Sequence, residues 1–176
     1  MASNFLTLDV SGRKFRCSKA VLSTSPYFEN LFARWEDSAD RQVDGSYLID
    51  ADPDVFKHLL DFMRRPARFP LYWNREEGFD YLLYSKLEAE ADYFMLEDLR
   101  DWIQEKKYLE VVEMRQVIHE NKEAWEHCSG TSYLQHFILK GAIGGHGSTQ
   151  IQAPDRLVTI ETEISFDHEV LINNRA

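Results

Sequence analysis

Cysteine is scarce: the 176-residue chain carries two, Cys17 and Cys128, far apart and outside any CxxC spacing. That excludes a disulfide framework, a zinc half-site and a dithiol redox pair, and it suits a reduced compartment, the cytoplasm or the nucleus. Long apolar runs are missing as well. Stretches such as Tyr81–Tyr84 and Phe137–Leu139 fall far below the ~20 residues that cross a bilayer. The opening MASNFLTLDV lacks the basic and apolar regions of a secretory signal. Positive charge is in deficit: 20 Lys and Arg stand against 30 Asp and Glu, a net charge of -10, and residues 1–108 and 109–176 share the excess. Such a balance promotes solubility and offers no basic face for nucleic acid. The basic cluster Arg64, Arg65 and Arg68 around Pro66 reads as a solvated helix end.

Catalytic signatures are also lacking. There is no Gly-x-Ser-x-Gly elbow, and neither cysteine sits in a nucleophile motif. GAIGGHGSTQ has no Lys directly after its last glycine, so it is a glycine-rich connection rather than a phosphate loop. His119, His127, Cys128, His136 and His146 fall within one stretch, but no pair has the close spacing that fixes two ligands on one element. The carboxylate pairs Glu88 with Asp92 and Glu97 with Asp101 have helical spacing and read as solvated faces. The expectation is a protein that is not an enzyme and that holds no metal or cofactor.

What is present is a globular composition, 44% hydrophobic and 13% aromatic, with room for a core that needs no covalent staple. Phe5–Val10 and Lys14–Cys17 read as a hairpin turned by Ser11-Gly12, and Ser18 caps a short helix to Leu22. Ser25-Pro26 starts a helix carrying Phe28, Leu31, Phe32 and Trp35. Tyr47–Ile49 reads as a strand. Asp52 then caps a helix with Pro53 in its first turn and a buried stripe of Phe56, Leu59, Leu60 and Met63. After the aromatic loop Phe69–Trp73, a helix over about Asp80–Phe94 buries Leu83, Leu87, Ala91 and Phe94, and Glu97 opens a last one through Trp102. Val111, Met114, Ile118 and Trp125 keep helical spacing, which predicts a connecting helix over 109–128. Tyr133–Lys140 and Leu157–Phe166 read as strands, with a third short one over Glu169–Ile172, in a small β-rich region spanning 129–176.

Three segments carry a family resemblance. LDVSGRKFRCSKAVL, through Val10, Gly12, Phe15 and Leu22, resembles the opening of BTB/POZ domains of the potassium-channel tetramerisation type, with Asp9 and Ser11 as departures. YLIDADPDVFKHLLDFMRR, through Tyr47, Asp50, Asp52, Pro53, Phe56, Leu60, Phe62 and Arg64, is similar to the same subtype's strand and helix. Leu87, Glu90, Ala91, Asp92, Tyr93, Phe94, Leu96 and Leu99 are similar to its closing helix pair. SPYFENLF, Ser25–Phe32, instead resembles ordinary BTB domains, and the FPLYW loop resembles fungal members.

The resemblance implies an α+β fold, a small three-stranded sheet with a cluster of helices over residues 1–108, followed by the β-rich appendage. It implies a soluble interaction module that associates with itself in four or five copies. In several soluble members it implies service as an adaptor between a cullin scaffold and a protein substrate in a ubiquitin ligase. The alternative is an ordinary BTB dimer that acts as a scaffold. Some channel members bind zinc through an adjacent Cys pair, which this chain does not have. By the same resemblance Asp9, Asp50, Asp52 and Arg64 are candidate oligomer contacts, with Asp50 to a neighbour's Arg64 the sharpest pairing and helix capping the competing role for Asp52. Trp35 and Glu36 mark the candidate cullin contact, against a Trp35 that simply closes the core. Phe15, Phe28, Phe56, Phe62 and Tyr93 read as core.

Overall fold

The computed structural model describes residues 4–34, 41–120, 133–139, 142–143, 151–152 and 156–176. They fall into two compact units, residues 1–111 with 168–176, and residues 112–167.

In the first unit, β1 (Phe5–Val10) and β2 (Arg13–Ser18) form an antiparallel hairpin. Its two-residue loop has Ser11 at φ 45° and Gly12 at φ 94°, the paired positive φ that matches the twist of a hairpin. Asp9 holds the turn by accepting the Gly12 N–H at 2.8 Å. The Ser11 backbone N–H donates to Ile49 O (3.2 Å) and its hydroxyl to Ala51 O (2.9 Å). Ser18 caps α1 (Lys19–Leu22), and α2 (Pro26–Arg34) follows. Ser25 is buried and donates to Phe94 O at 2.6 Å, which ties the start of α2 to a distant helix end.

Strand β3 (Tyr47–Ile49) lies parallel to β1, so the sheet order is β2-β1-β3. Asp52 caps α3 (Pro53–Arg64) with Pro53 in the first turn. A small hairpin of β4 (Trp73–Asn74) and β5 (Gly78–Phe79) leads to α4 (Tyr81–Tyr93), capped by Asp80, and then to α5 (Glu97–Gln104) and a 3-10 turn at Lys107–Glu110.

The inner face of the sheet contributes Leu8, Val10, Cys17 and Ile49 to the core, and α3 contributes Phe56, Leu59, Leu60 and Met63. Phe28 and Phe94 stack at 5.4 Å, and Phe56 meets Phe94 edge-on at 5.4 Å. Interlocked rings of this kind fix the crossing of α2, α3 and the end of α4. Two details differ from expectation. Tyr84, not Leu83, is the fully buried residue of the second turn of α4, and its hydroxyl is satisfied by the Tyr72 N–H, which lets it enter the core. Tyr93 is 53% exposed and sits beside Tyr27 rather than in the core.

The second unit is built on a three-stranded sheet whose last strand lies in the middle. β6 (Val112–Glu120), β7 (Tyr133–Leu139) and β10 (Arg156–Phe166) form an antiparallel sheet in the order β6-β10-β7, with a separate pair of β8 (Ala142–Ile143) and β9 (Ile151–Gln152). Of the helix expected over 109–128, Leu109 and Glu110 close the 3-10 turn and Val112–Glu120 is a strand, while residues 121–128 lie outside the described residues. Val112, Met114, Gln116 and Ile118 oppose Phe166, Ile164, Thr162 and Ile160, so a period of two coexists with the helical spacing, and nine paired residues decide in its favour.

The last residues return to the first unit. Glu169–Leu171 is a 3-10 turn rather than a strand, and only Ile172 bridges Arg68. Phe69 N donates to Leu171 O and Asn173 N to Ala67 O, both at 2.9 Å, while Leu171 and Asn173 are buried. That burial places residues 168–176 with the first unit rather than with the β-rich region. No described helix is long and apolar enough to cross a membrane.

Candidate interaction surface

Helix α3 organises the candidate contacts. It has 12 residues, about 18 Å of axis, with buried Phe56, Leu59, Leu60 and Met63 on one side and opposite charges at its two ends. At the amino end Asp52 accepts the Asp54 N–H (3.0 Å) and the Lys86 ammonium (3.3 Å), which hold its carboxyl below the usual range. Asp54 pairs with Arg13 at 2.6 Å. Glu90 faces the same end. Burial pushes its carboxyl up, the Asp52 backbone N–H pulls it down, and the carboxylates of Asp52 and Asp50 push it up again. Asp50 itself is exposed and makes no hydrogen bond or ion pair among the described residues.

The carboxyl end is basic. Arg64 pairs with Asp61 at 2.9 Å, and Arg65 and Arg68 are exposed. Carboxylates before α3 and guanidiniums after it complement the helix dipole. Near this end Cys17 is buried, and burial pushes its thiol to about 11 against the opposing pull of Arg64. A thiol at that value is protonated at neutral pH and unreactive.

Asp50, Asp52 and Arg64 are thus all on or beside α3, but the first two and the last stand at opposite ends and do not meet within the chain. Asp9 is half-buried on the outer face of the sheet, between Lys14 and Leu48 in register. Trp35 and Glu36 lie outside the described residues, as do His127, Cys128, His146 and the connection from Gly144 to Gln150. His119 and His136 fall in β6 and β7, with their side chains outside the description. Among the described residues no group of three His, Cys, Asp or Glu is placed to hold a metal ion.

Sequence reasoning missed the pairs Arg13–Asp54 and Lys86–Asp52, each joining separate elements. It also missed Leu48, 56% exposed on the outer face of the sheet. Alternation within Tyr47–Ile49 carried that signal, because a buried Ile49 turns Leu48 outward.

The model of the BTB/POZ domain family matches residues 6–103, more than half of the chain. The chain belongs to the BTB/POZ domain family. The match is to the potassium channel tetramerisation type, and it spans the elements from β1 to the end of α5. As a BTB domain, this fold is a protein–protein interaction module of a kind that self-associates. The β3–α3 segment, which carries Asp50, Asp52 and Arg64, lies wholly inside the match.

Proposed function

We propose that this BTB protein forms a closed ring of four or five copies, with the acidic amino end of α3 in one copy facing Arg64 at the basic carboxyl end of α3 in the next. The observation that carries this reading is Asp50, an exposed carboxylate without a partner of its own. Two patches at opposite ends of one helix suit a head-to-tail contact, which closes into a ring when the rotation permits. Charge complementarity then sets register and excludes mismatched pairings. Asp9 and Asp52 contribute at the edge of the contact.

The ring serves as a non-enzymatic adaptor in the cytoplasm or nucleus, a setting consistent with a free, buried Cys17. Trp35 and Glu36, directly after α2, contact a cullin scaffold, and the region after residue 108 presents several copies of a weak site to a protein substrate. Light scattering on the full chain tests the stoichiometry. Four or five times the 20.7 kDa of one chain is expected. Twice that mass would select a scaffold dimer, the reading favoured by the resemblance of the SPYFENLF segment to ordinary BTB domains. Trp35→Ala should abolish binding to a purified cullin amino-terminal region and leave the oligomer mass unchanged; unchanged binding would remove the cullin contact from that residue.

A further inference from the structure

We infer that the cleft between the β4–β5 hairpin and the first turn of α4 binds an arginine side chain of a partner protein, stacked on aromatic rings and paired with Glu77. The cleft is an open cavity of about 660 Å³ whose lining includes Tyr72, Trp73, Phe79 and Tyr81, together with the carboxylates of Glu77 and Asp80. Its walls are fixed by the fold. Trp73 opposes Phe79 across the hairpin, so both side chains leave it on the same face. Tyr72, just before the hairpin, is held by three bonds. Its hydroxyl meets His58 Nδ1 at 2.9 Å, its N–H donates to the Tyr84 hydroxyl at 2.9 Å, and its carbonyl accepts the Asp80 N–H at 3.1 Å. The Phe79 and Tyr81 rings lie with centroids 6.2 Å apart, and both also pack on Tyr108. The outer wall is nevertheless left open, with Tyr81 60% and Leu82 70% exposed. Large apolar side chains exposed side by side, continuous with an aromatic cleft, mark a binding face.

The charge of the lining selects the occupant. Among the described residues it contains no Lys or Arg, and Arg75, at the hairpin turn, lies outside it. Asp80 caps α4 by accepting the Leu83 N–H at 2.9 Å, so its charge already serves the helix. Glu77 is placed by the turn. Asn74 Oδ1 accepts the Glu76 and Glu77 N–H groups at 3.0 and 2.8 Å, and the Asn74 amide donates to the Glu77 carboxylate at 3.0 Å. Neither Glu77 nor Asp80 has an ion pair among the described residues. Aromatic faces attract cations, and the two carboxylates complement one. Of the two basic side chains, only the guanidinium is planar, so it can lie flat on a ring while its edge forks onto a carboxylate.

The test uses the full chain and saturation-transfer NMR titrations with the blocked tripeptide Gly-Arg-Gly at millimolar concentration. Two peptides serve as comparisons: citrulline in place of arginine keeps the shape and loses the charge, and lysine keeps the charge and loses the plane. The arginine peptide should bind at least about threefold more tightly than either. Glu77→Gln and Tyr81→Ala, both at exposed positions, should each weaken its binding by at least about threefold in chains that circular dichroism shows to be folded. Unchanged affinity in either folded variant would place the cation elsewhere on this acidic chain and overturn the assignment. A citrulline peptide that binds as tightly as the arginine one would make the cleft a plain apolar docking face and overturn it too. So would a lysine peptide of equal affinity, or no saturation transfer to the arginine peptide at all.

Discussion

The two ends of α3 belong to one helix and rest on one core, yet they are held in different ways. At the amino end Asp52 and Asp54 are tied down by the helix backbone, Lys86 and Arg13. At the carboxyl end Arg64 leans on Asp61 within the helix, and the next segment, Ala67 to Phe69, is gripped by the chain's own tail. The helix dipole accounts for the signs of the charges at both ends. It does not account for Asp50, which lies outside the helix and has no hydrogen bond or ion pair among the described residues. The difference separates charges that serve the helix from a charge the helix does not need, the one on which the proposed ring contact rests.

The largest effect comes from removing what the two ends share. Phe56→Ala takes a fully buried ring out of the Phe28–Phe94 cluster and should cost about 3–5 kcal/mol, read as an earlier urea midpoint that abolishes both ends together. Removing the support of one end alone is milder. Leu171→Ala should cost about 2 kcal/mol and raise hydrogen exchange at the Phe69 and Asn173 amides, while the Lys86–Asp52 pair at the other end is left in place.

The smallest effects separate Asp50 from Asp52. Asp52→Ala loses the helix cap and should lower the melting temperature of the dissociated chain by a few degrees, whereas Asp50→Ala, with no internal partner to lose, should leave that value within error and act on the oligomer mass instead. Acid sharpens the contrast. The Asp52 carboxyl is depressed in the folded state by the Asp54 N–H and Lys86. Its stabilisation is therefore present above the unfolded value of about 3.9 and is lost as pH falls through the lower folded value. Thermal melts between neutral and strongly acidic pH should show a shallower acid loss for Asp52→Ala than for the parent. Equal slopes would assign the helix start to other groups.

Much of the first unit was legible in the residues because its local signals agree. Asp52-Pro53 starts α3, the Phe56, Leu59, Leu60 and Met63 stripe buries it, and Ser11-Gly12 turns the hairpin. Where signals conflicted, pairing partners distant in sequence decided. Val112–Glu120 satisfies both periods, and only its ladder with β10 makes it a strand. Tyr84 is absent from the buried stripe expected for α4, and its burial depends on the Tyr72 N–H, 12 residues away, which satisfies its hydroxyl. The tail reads as part of the β-rich region because its neighbours in sequence are strands, while its partners, Ala67, Phe69, Asp98 and Trp102, lie far upstream. Of the candidate contacts, the capping role of Asp52 could be read directly. That Asp50 and Arg64 stand at opposite ends follows from helix length, and the lack of a partner for Asp50 needed three dimensions.

The central claim is that Asp50 of one copy faces Arg64 of the next, and a charge exchange tests it most directly. Light scattering would compare the full chain, Asp50→Arg, and Asp50→Arg combined with Arg64→Asp, with folding checked by circular dichroism. The account predicts that Asp50→Arg falls to a folded species of lower mass and that the double substitution regains the mass of the parent. An Asp50→Arg chain that keeps the full oligomer mass would contradict it.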